Sequence, residues 1–363
     1  MVRIRKDIDT IQSYVPGKPI EEVRRELGLR DIVKLASNEN ALGPSPKALA
    51  AVRGALGSLH RYPEGGCPVL KKKLAAKIGV AQKNILFGNG SDELIDIVLK
   101  TLRGADAEIV TADVTFVEYR IVGRVNGFRV VEVPLRDFTY DLEAMARAVT
   151  PRTRAVFIAN PNNPTGTMVT RQEVLSFLDK IDKDVLVVFD EAYAEYAAGK
   201  DYPETLGLLK RGNVAVLRTF SKAYGLAGCR IGYLAADEGV IAAAERVRPP
   251  FNVNSLAQAA AFGALNDTAF VNRGRSLVRR ERERLYRALG ALGVWYAESA
   301  ANFIFVRFGL PAKGIGDALL KKGVIIRDMS MYGLDLYARI TVGTPQENTK
   351  LIKSLKLVLE KTG

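Results

Sequence analysis

The sequence predicts an α/β protein: a large domain with a mostly parallel mixed sheet flanked by helices, plus a smaller α+β domain. Three observations carry this expectation. Up to about residue 250, short β-branched apolar runs alternate with helix-like stretches. Consecutive apolar positions mark strands covered on both faces, and alternating β and α elements favour a parallel sheet. Beyond residue 250 the texture changes to a long helical pattern followed by short strands, and the Pro249-Pro250 pair suits a boundary between the two.

In chain order, strands are expected at 85–87, 108–111, 130–133, 155–159, 185–189, 214–218 and 231–235. Helices are expected between them, among others at 92–102, 141–148 and 171–180. Residues 255–292 read as one long helix, Ala-rich and then dense in Arg and Glu. Strands at 303–306, 324–326 and 338–342 and a last helix from about Gln346 complete the chain. The expected division is an N-terminal arm and part of the small domain at 1–42, a large domain at 43–250, and a linking helix with the C-terminal small domain at 251–363.

Composition narrows the function classes. The 363 residues suit one large or two medium domains. A hydrophobic content of 48% fits a globular chain and excludes a disordered one. No apolar run approaches the roughly 18–20 residues of a membrane span, and the charged N-terminus leads into no apolar stretch, so neither an integral membrane protein nor a secretory signal is expected. Two cysteines make no disulfide framework, and Cys67 and Cys229 lack metal-ligand spacing, so the expected compartment is cytoplasmic and no metal is expected. The net charge of +13 raises the question of nucleic acid. Its clusters at Lys71-Lys72-Lys73, Arg279-Arg280 and Lys321-Lys322 are short and carry no interleaved aromatics, so a solvated basic surface without a nucleic-acid partner is expected. His60 is the single histidine, which weakens any Ser-His-Asp reading. Another group must supply the base.

In open α/β sheets ligands bind beyond the carboxyl ends of the strands, so the polar residues that follow each apolar run become the candidates. They are Gly88-Asn89-Gly90-Ser91-Asp92-Glu93, Asn160-Pro161-Asn162-Asn163-Pro164-Thr165-Gly166, Asp190-Glu191-Ala192-Tyr193 and Thr219-Phe220-Ser221-Lys222, with Arg230 eight residues beyond the lysine. This set suits an anionic aromatic cofactor better than a dinucleotide. The glycine-rich segment is either a phosphate cradle at a helix start or a turn in which Ser91 or Asp92 caps the helix. It lacks both the dinucleotide glycine fingerprint and the ending of a nucleotide P-loop. Lys222 is either a snorkelling surface lysine or, in a polar crevice, an amine able to form a Schiff base. Asp190 follows an apolar strand, where a carboxylate needs a donor or cation, and a pyridinium nitrogen would serve. A lysine Schiff base with an Asp partner on the ring nitrogen is the pattern of pyridoxal phosphate.

With these residues in view, Asn163-Pro164-Thr165-Gly166, Asp190-x-x-Tyr193, Ser221-Lys222 and Arg230 resemble the fold type I pyridoxal-phosphate-dependent aminotransferases, over nearly the whole chain. Within that family the chain is most similar to the histidinol-phosphate aminotransferase subgroup. The residues that carry this closer resemblance are Tyr14-Val15-Pro16-Gly17-Lys18-Pro19 with Glu21-Glu22-Val23, Ser37-Asn38-Glu39-Asn40 with Gly43-Pro44-Ser45-Pro46, and Arg61-Tyr62-Pro63. Further matches are Phe251-Asn252-Val253-Asn254-Ser255, Ala301-Asn302-Phe303 and Arg339-Ile340-Thr341-Val342-Gly343. One departure is Asp113-Val114-Thr115 ahead of Phe116, where the family usually carries a proline shortly before the aromatic.

The resemblance implies a cofactor, pyridoxal 5'-phosphate, held by Lys222 as a Schiff base, with Asp190 on the pyridine nitrogen and Asn163 and Tyr193 on the ring's 3-oxygen. Gly90, Ser91, Ser221 and Arg230 would bind its phosphate, aided by Tyr62 reaching in from the second subunit of a homodimer, and Phe116 would stack on the ring. Arg339 would take the substrate carboxylate, Arg327 the distal phosphate or second carboxylate, and Tyr14 and Asn38 would lie at the substrate. The implied reaction is a ping-pong transamination between an amino donor and a keto acid in histidine biosynthesis, with the freed lysine as base in place of a histidine. Two readings share the motifs, decarboxylation of threonine phosphate and transamination of aromatic amino acids. A regulator built on the same fold would need an added DNA-binding domain, and the roughly 40 residues before the first catalytic-domain motif lack a helix-turn-helix pattern.

Overall fold

A computed structural model describes residues 2, 5, 8, 9, 11, 13, 17–102, 104, 106–197, 199 and 201–362. Its strands in chain order are β1 (Val33–Lys34), β2 (Ile85–Gly88), β3 (Glu108–Ala112), β4 (Arg129–Val133), β5 (Thr153–Ala159), β6 (Leu186–Asp190), β7 (Val214–Thr219), β8 (Gly232–Ala235), β9 (Trp295–Tyr296), β10 (Phe303–Arg307), β11 (Val324–Ile325), β12 (Arg327–Met329) and β13 (Leu334–Thr341). Seven of them form one sheet in the order β2-β8-β7-β6-β5-β3-β4. The strands from β4 to β7 run parallel, and β8 lies antiparallel to both of its neighbours. The continuous apolar runs follow from burial on both faces. Helices Ser91–Thr101, Leu142–Ala148, Arg171–Leu178 and Glu238–Val247 pack against the sheet in one core with Leu94, Val98, Val174 and Ile241. A second core runs from Tyr193, Phe220 and Tyr233 through the Ala-rich helix Ser255–Leu265 to Phe303 and Ile340.

Two expectations are corrected. The single helix over 255–292 is two helices, Ser255–Leu265 and Thr268–Ala291. The break falls at Asn266-Asp267, where the Asp267 carboxylate accepts from the backbone N–H of Phe270 and starts a new helix. A short side chain that bonds its own backbone competes with helix continuation. The first of these helices has another local requirement: a Cβ at position 263 would come 2.4 Å from the Lys47 carbonyl oxygen, so only glycine lets it lie against helix Pro46–Ala55. The second correction concerns 324–326. The chain changes sheets at Ile326, with β11 pairing parallel to β1 and β12 pairing antiparallel to β13.

That switch has a consequence for charge. In the four-stranded sheet β12-β13-β10-β9, Arg327 and Arg339 become register partners on adjacent strands. Strand β1 ties the segment after residue 32 to the C-terminal part of the chain, and the Leu35 carbonyl accepts from the Thr341 N–H at 2.8 Å. No helix among the described residues is long and apolar enough to cross a membrane.

Candidate active site

The carboxyl ends of β5, β6 and β7 meet the segment after β1 and the strand pair β12-β13 around a cavity of about 270 Å3. Of the residues singled out in the sequence, Ser91, Phe116, Asn163, Asp190, Tyr193, Ser221, Lys222 and Arg230 line it from the large sheet's side. Asn38, Arg327 and Arg339 line it from the other. These positions span three hundred residues of sequence, and the fold brings them to one crevice.

The glycine-rich segment is not a turn in which a side chain caps the helix. Helix Ser91–Thr101 has Gly90 at its N-cap and no side chain capping it, so neither Ser91 nor Asp92 plays that part. Glu93 instead accepts from the Asn89 N–H and the Asn252 amide, both at 2.6 Å. Gly90 has φ +87°, and a Cβ there would lie 2.6 Å from Arg230 Nη2. Only glycine allows the guanidinium so near the helix start. Arg230 reaches Asp92 Oδ2 at 2.8 Å, the Ala227 carbonyl at 3.3 Å and Ser221 Oγ at 3.5 Å. A helix N-terminus with an arginine and a serine beside it attracts a phosphate.

Lys222 does not snorkel. Its Nζ donates to the Ser37 carbonyl at 3.2 Å and lies 5.8 Å from the centre of the Tyr193 ring. Burial, followed by the charge of Arg339, lowers its proton affinity to a pKa of about 8. Asp190 is the last residue of β6 and is buried. Tyr119 donates to its Oδ2 at 2.7 Å and the Ala192 N–H to its Oδ1 at 3.1 Å. Burial raises the carboxyl to about 6, with the Tyr119 hydrogen bond pulling the other way. A buried carboxylate held by neutral donors fits a cationic ring nitrogen, and an amine that sheds its proton readily fits an aldehyde.

Around them the wall is ordered by hydrogen bonds. Arg339 donates to Asn163 Oδ1 and, at 2.7 Å, to the Ala36 carbonyl, and its guanidinium lies 5.4 Å over the Phe303 ring. Asn38 donates to the Tyr193 hydroxyl at 3.0 Å. Phe116 packs edge-on to Tyr119, ring centres 5.6 Å apart. Like charges placed opposite each other on neighbouring strands repel, so the Arg327–Arg339 register favours an anion at that end. The residues present therefore fit a phosphorylated pyridine aldehyde and a doubly anionic substrate.

Tyr62 stands outside this cavity. It is 83% exposed and stacks on Phe251 at 4.8 Å, in a separate hollow with Leu59, Pro63 and Pro250. Tyr14 lies outside the described residues. The sequence reading missed Tyr119, which is wholly buried, and Asp92 as the partner of Arg230. Tyr119 follows the candidate ring-stacking Phe116 by three residues at a helix start, but an aromatic at that spacing also reads as ordinary core.

The aminotransferase class I and II family model matches residues 30–355. The chain is 48% identical over 359 residues to a histidinol-phosphate aminotransferase of Moorella thermoacetica, covering 98% of this chain and 93% of that one. It is 46% identical over 355 residues to another so named from Anaeromyxobacter sp., covering 97% and 98%. Among solved structures, a histidinol-phosphate aminotransferase from Sinorhizobium meliloti in complex with pyridoxal-5'-phosphate superposes with a TM-score of 0.92 at 31% identity, covering 100% of this chain and 99% of that one. The chain belongs to the class I and II aminotransferases.

Proposed function

We propose that this class I and II aminotransferase holds pyridoxal 5'-phosphate in the cavity and interconverts histidinol phosphate and 2-oxoglutarate with imidazole acetol phosphate and glutamate, a step of histidine biosynthesis. The observation that carries the chemistry is the presence, on one cavity, of a lysine with a loosened proton and a buried carboxylate held by neutral donors. The identity to the two relatives favours this substrate over threonine phosphate or aromatic amino acids.

When bound, the cofactor supplies an aldehyde carbon that exchanges amines and a ring that draws electrons from the bond at the substrate's Cα. Asp190 would hold a proton at the ring nitrogen, and Asn163 and Tyr193 would orient the ring through its 3-oxygen. Gly90, Ser91, Ser221 and Arg230 would hold the phosphate, and Phe116 would cover the ring face. Lys222 Nζ removes the Cα proton as general base, and a pKa near neutrality suits that task. Arg339 would bind the α-carboxylate and Arg327 the distal phosphate or second carboxylate, with Asn38 at the substrate.

The assembly in this reading is a cytoplasmic homodimer, with residues 43–250 as cofactor domain and the flanking segments as small domain. The exposed Tyr62 and Phe251 belong to its interface, and Tyr62 reaches the partner's cofactor phosphate. Subunit mixing tests that detail: K222A and Y62F chains each lose activity alone, and a mixture regains part of it if the site is shared. No gain on mixing overturns the sharing. The main test is a panel with glutamate as donor and imidazole acetol phosphate or phenylpyruvate as acceptor, and a parallel assay for carbon dioxide from threonine phosphate. Preference for the imidazole substrate by about a hundredfold in kcat/KM is expected; carbon dioxide release as the main reaction overturns the assignment.

A further inference from the structure

Tyr119 has a hydroxyl where packing alone asks for none. Its ring is wholly buried, stacks on Phe157 with centres 5.1 Å apart and planes at 24°, and meets Phe116 edge-on. A phenylalanine would fill that space equally well, and a buried hydroxyl is costly without a partner. Its partner is Asp190 Oδ2 at 2.7 Å. Toward a carboxylate a phenol donates, and burial next to Asp190 raises the Tyr119 pKa well above its ordinary value, so the proton stays on the phenol.

We propose that Tyr119 is a positioning residue that keeps the proton on the cofactor's ring nitrogen by stabilising Asp190 in its carboxylate form. The inference rests on the reading that Asp190 faces that nitrogen. Two sites compete for one proton, the nitrogen and the carboxylate. The groups around Asp190 set the balance. From its own strand end come the Ala192 N–H, which favours the carboxylate, and Glu191, whose charge opposes it. From helix Ser91–Thr101 Asp92 also opposes it. Tyr140 and Tyr193 are neutral neighbours, and Lys222 lies across the same cavity. Tyr119 is thus the one side chain among the described residues whose hydrogen bond reaches the Asp190 carboxylate. Without it the carboxylate would take the proton, and the ring would draw electrons less strongly and bind with a neutral rather than a charge-assisted contact.

Y119F removes the hydroxyl and keeps the ring. In cofactor-free protein titrated with pyridoxal phosphate and followed by fluorescence, the variant should bind about tenfold to a hundredfold more weakly, as for loss of a hydrogen bond to a charged group. In loaded enzyme kcat should fall by a similar factor with KM little changed. The discriminating measurement is the cycle with D190N. A role through Asp190 predicts that Y119F costs little further binding once Asp190 is Asn, whereas a purely structural tyrosine costs the same in both backgrounds. A 3-fluorotyrosine at position 119, a stronger donor of the same shape, should tighten cofactor binding or leave it unchanged. If D190N weakens binding and Y119F does not, the inference fails and the Asp190 reading stands. If D190N itself leaves binding and turnover unchanged, both fail.

Discussion

Asp190 and Glu191 are consecutive carboxylates at the end of one strand, both buried, and their surroundings differ in kind. Glu191 receives a fork from Arg218, Nε at 2.9 Å and Nη2 at 2.7 Å, together with the Thr205 hydroxyl. Its counter-charge is supplied by the neighbouring strand β7. Asp190, turned to the cavity, receives only the Tyr119 hydroxyl and the Ala192 N–H, and makes no ion pair among the described residues. A buried charge satisfied inside the chain serves stability; one held by neutral donors at a cavity wall is suited to a ligand's charge. The same contrast separates Arg218 from Lys222, which lie four residues apart in sequence.

The largest expected effect breaks the cavity side of this comparison. K222A should lower turnover by at least about 10³-fold while leaving the thermal midpoint of the cofactor-free protein nearly unchanged. D190N comes next. It should cost about 10²-fold in kcat, in the range for one preorganised electrostatic contact, with no loss of stability. E191Q should do the reverse, losing about 3 kcal/mol of unfolding free energy in a denaturant titration because Arg218 is left without its counter-charge, at near-normal activity per folded molecule. Equal behaviour of D190N and E191Q would erase the distinction. G90A is smaller. Its positive φ and the crowding by Arg230 should weaken pyridoxal phosphate binding about tenfold, read by equilibrium titration.

The pH dependence sharpens the contrast further. The Asp190 carboxyl binds its proton more tightly folded, at about 6, than at its ordinary value of 3.8. The folded cofactor-free state therefore holds more protons across that window, and its stability falls as pH rises from about 4 to about 6. D190N should flatten that slope. Lys222 has the opposite displacement, so its neutral amine becomes available below the usual lysine range. Incorporation of pyridoxal phosphate into cofactor-free protein should quicken with pH and level off above about 8, a profile that stopped-flow absorbance reads directly.

Much of this was legible in the chain itself. The strand ends carried Asn163, Asp190, Ser221 and Lys222, because apolar β-branched runs and the polar residues that end them are local features. Their types already specified an amine, a carboxylate and an amide. The chain could not say whether Ser91 or Asp92 caps the helix, since Asp92 is turned to Arg230, 138 residues away, and no side chain caps the helix start. The division of 255–292 into two helices escapes the sequence because helical periodicity does not register an Asp that restarts the backbone. Tyr119, Asp92, the pairing of Arg327 with Arg339, and the standing of Tyr62 outside its own chain's cavity belonged to the tertiary structure alone. The physical reason is the same for each: propensity, hydrophobic period and side-chain chemistry act over a few residues, whereas which buried charge meets which partner is decided by contacts between segments as distant as Asn163 and Arg339.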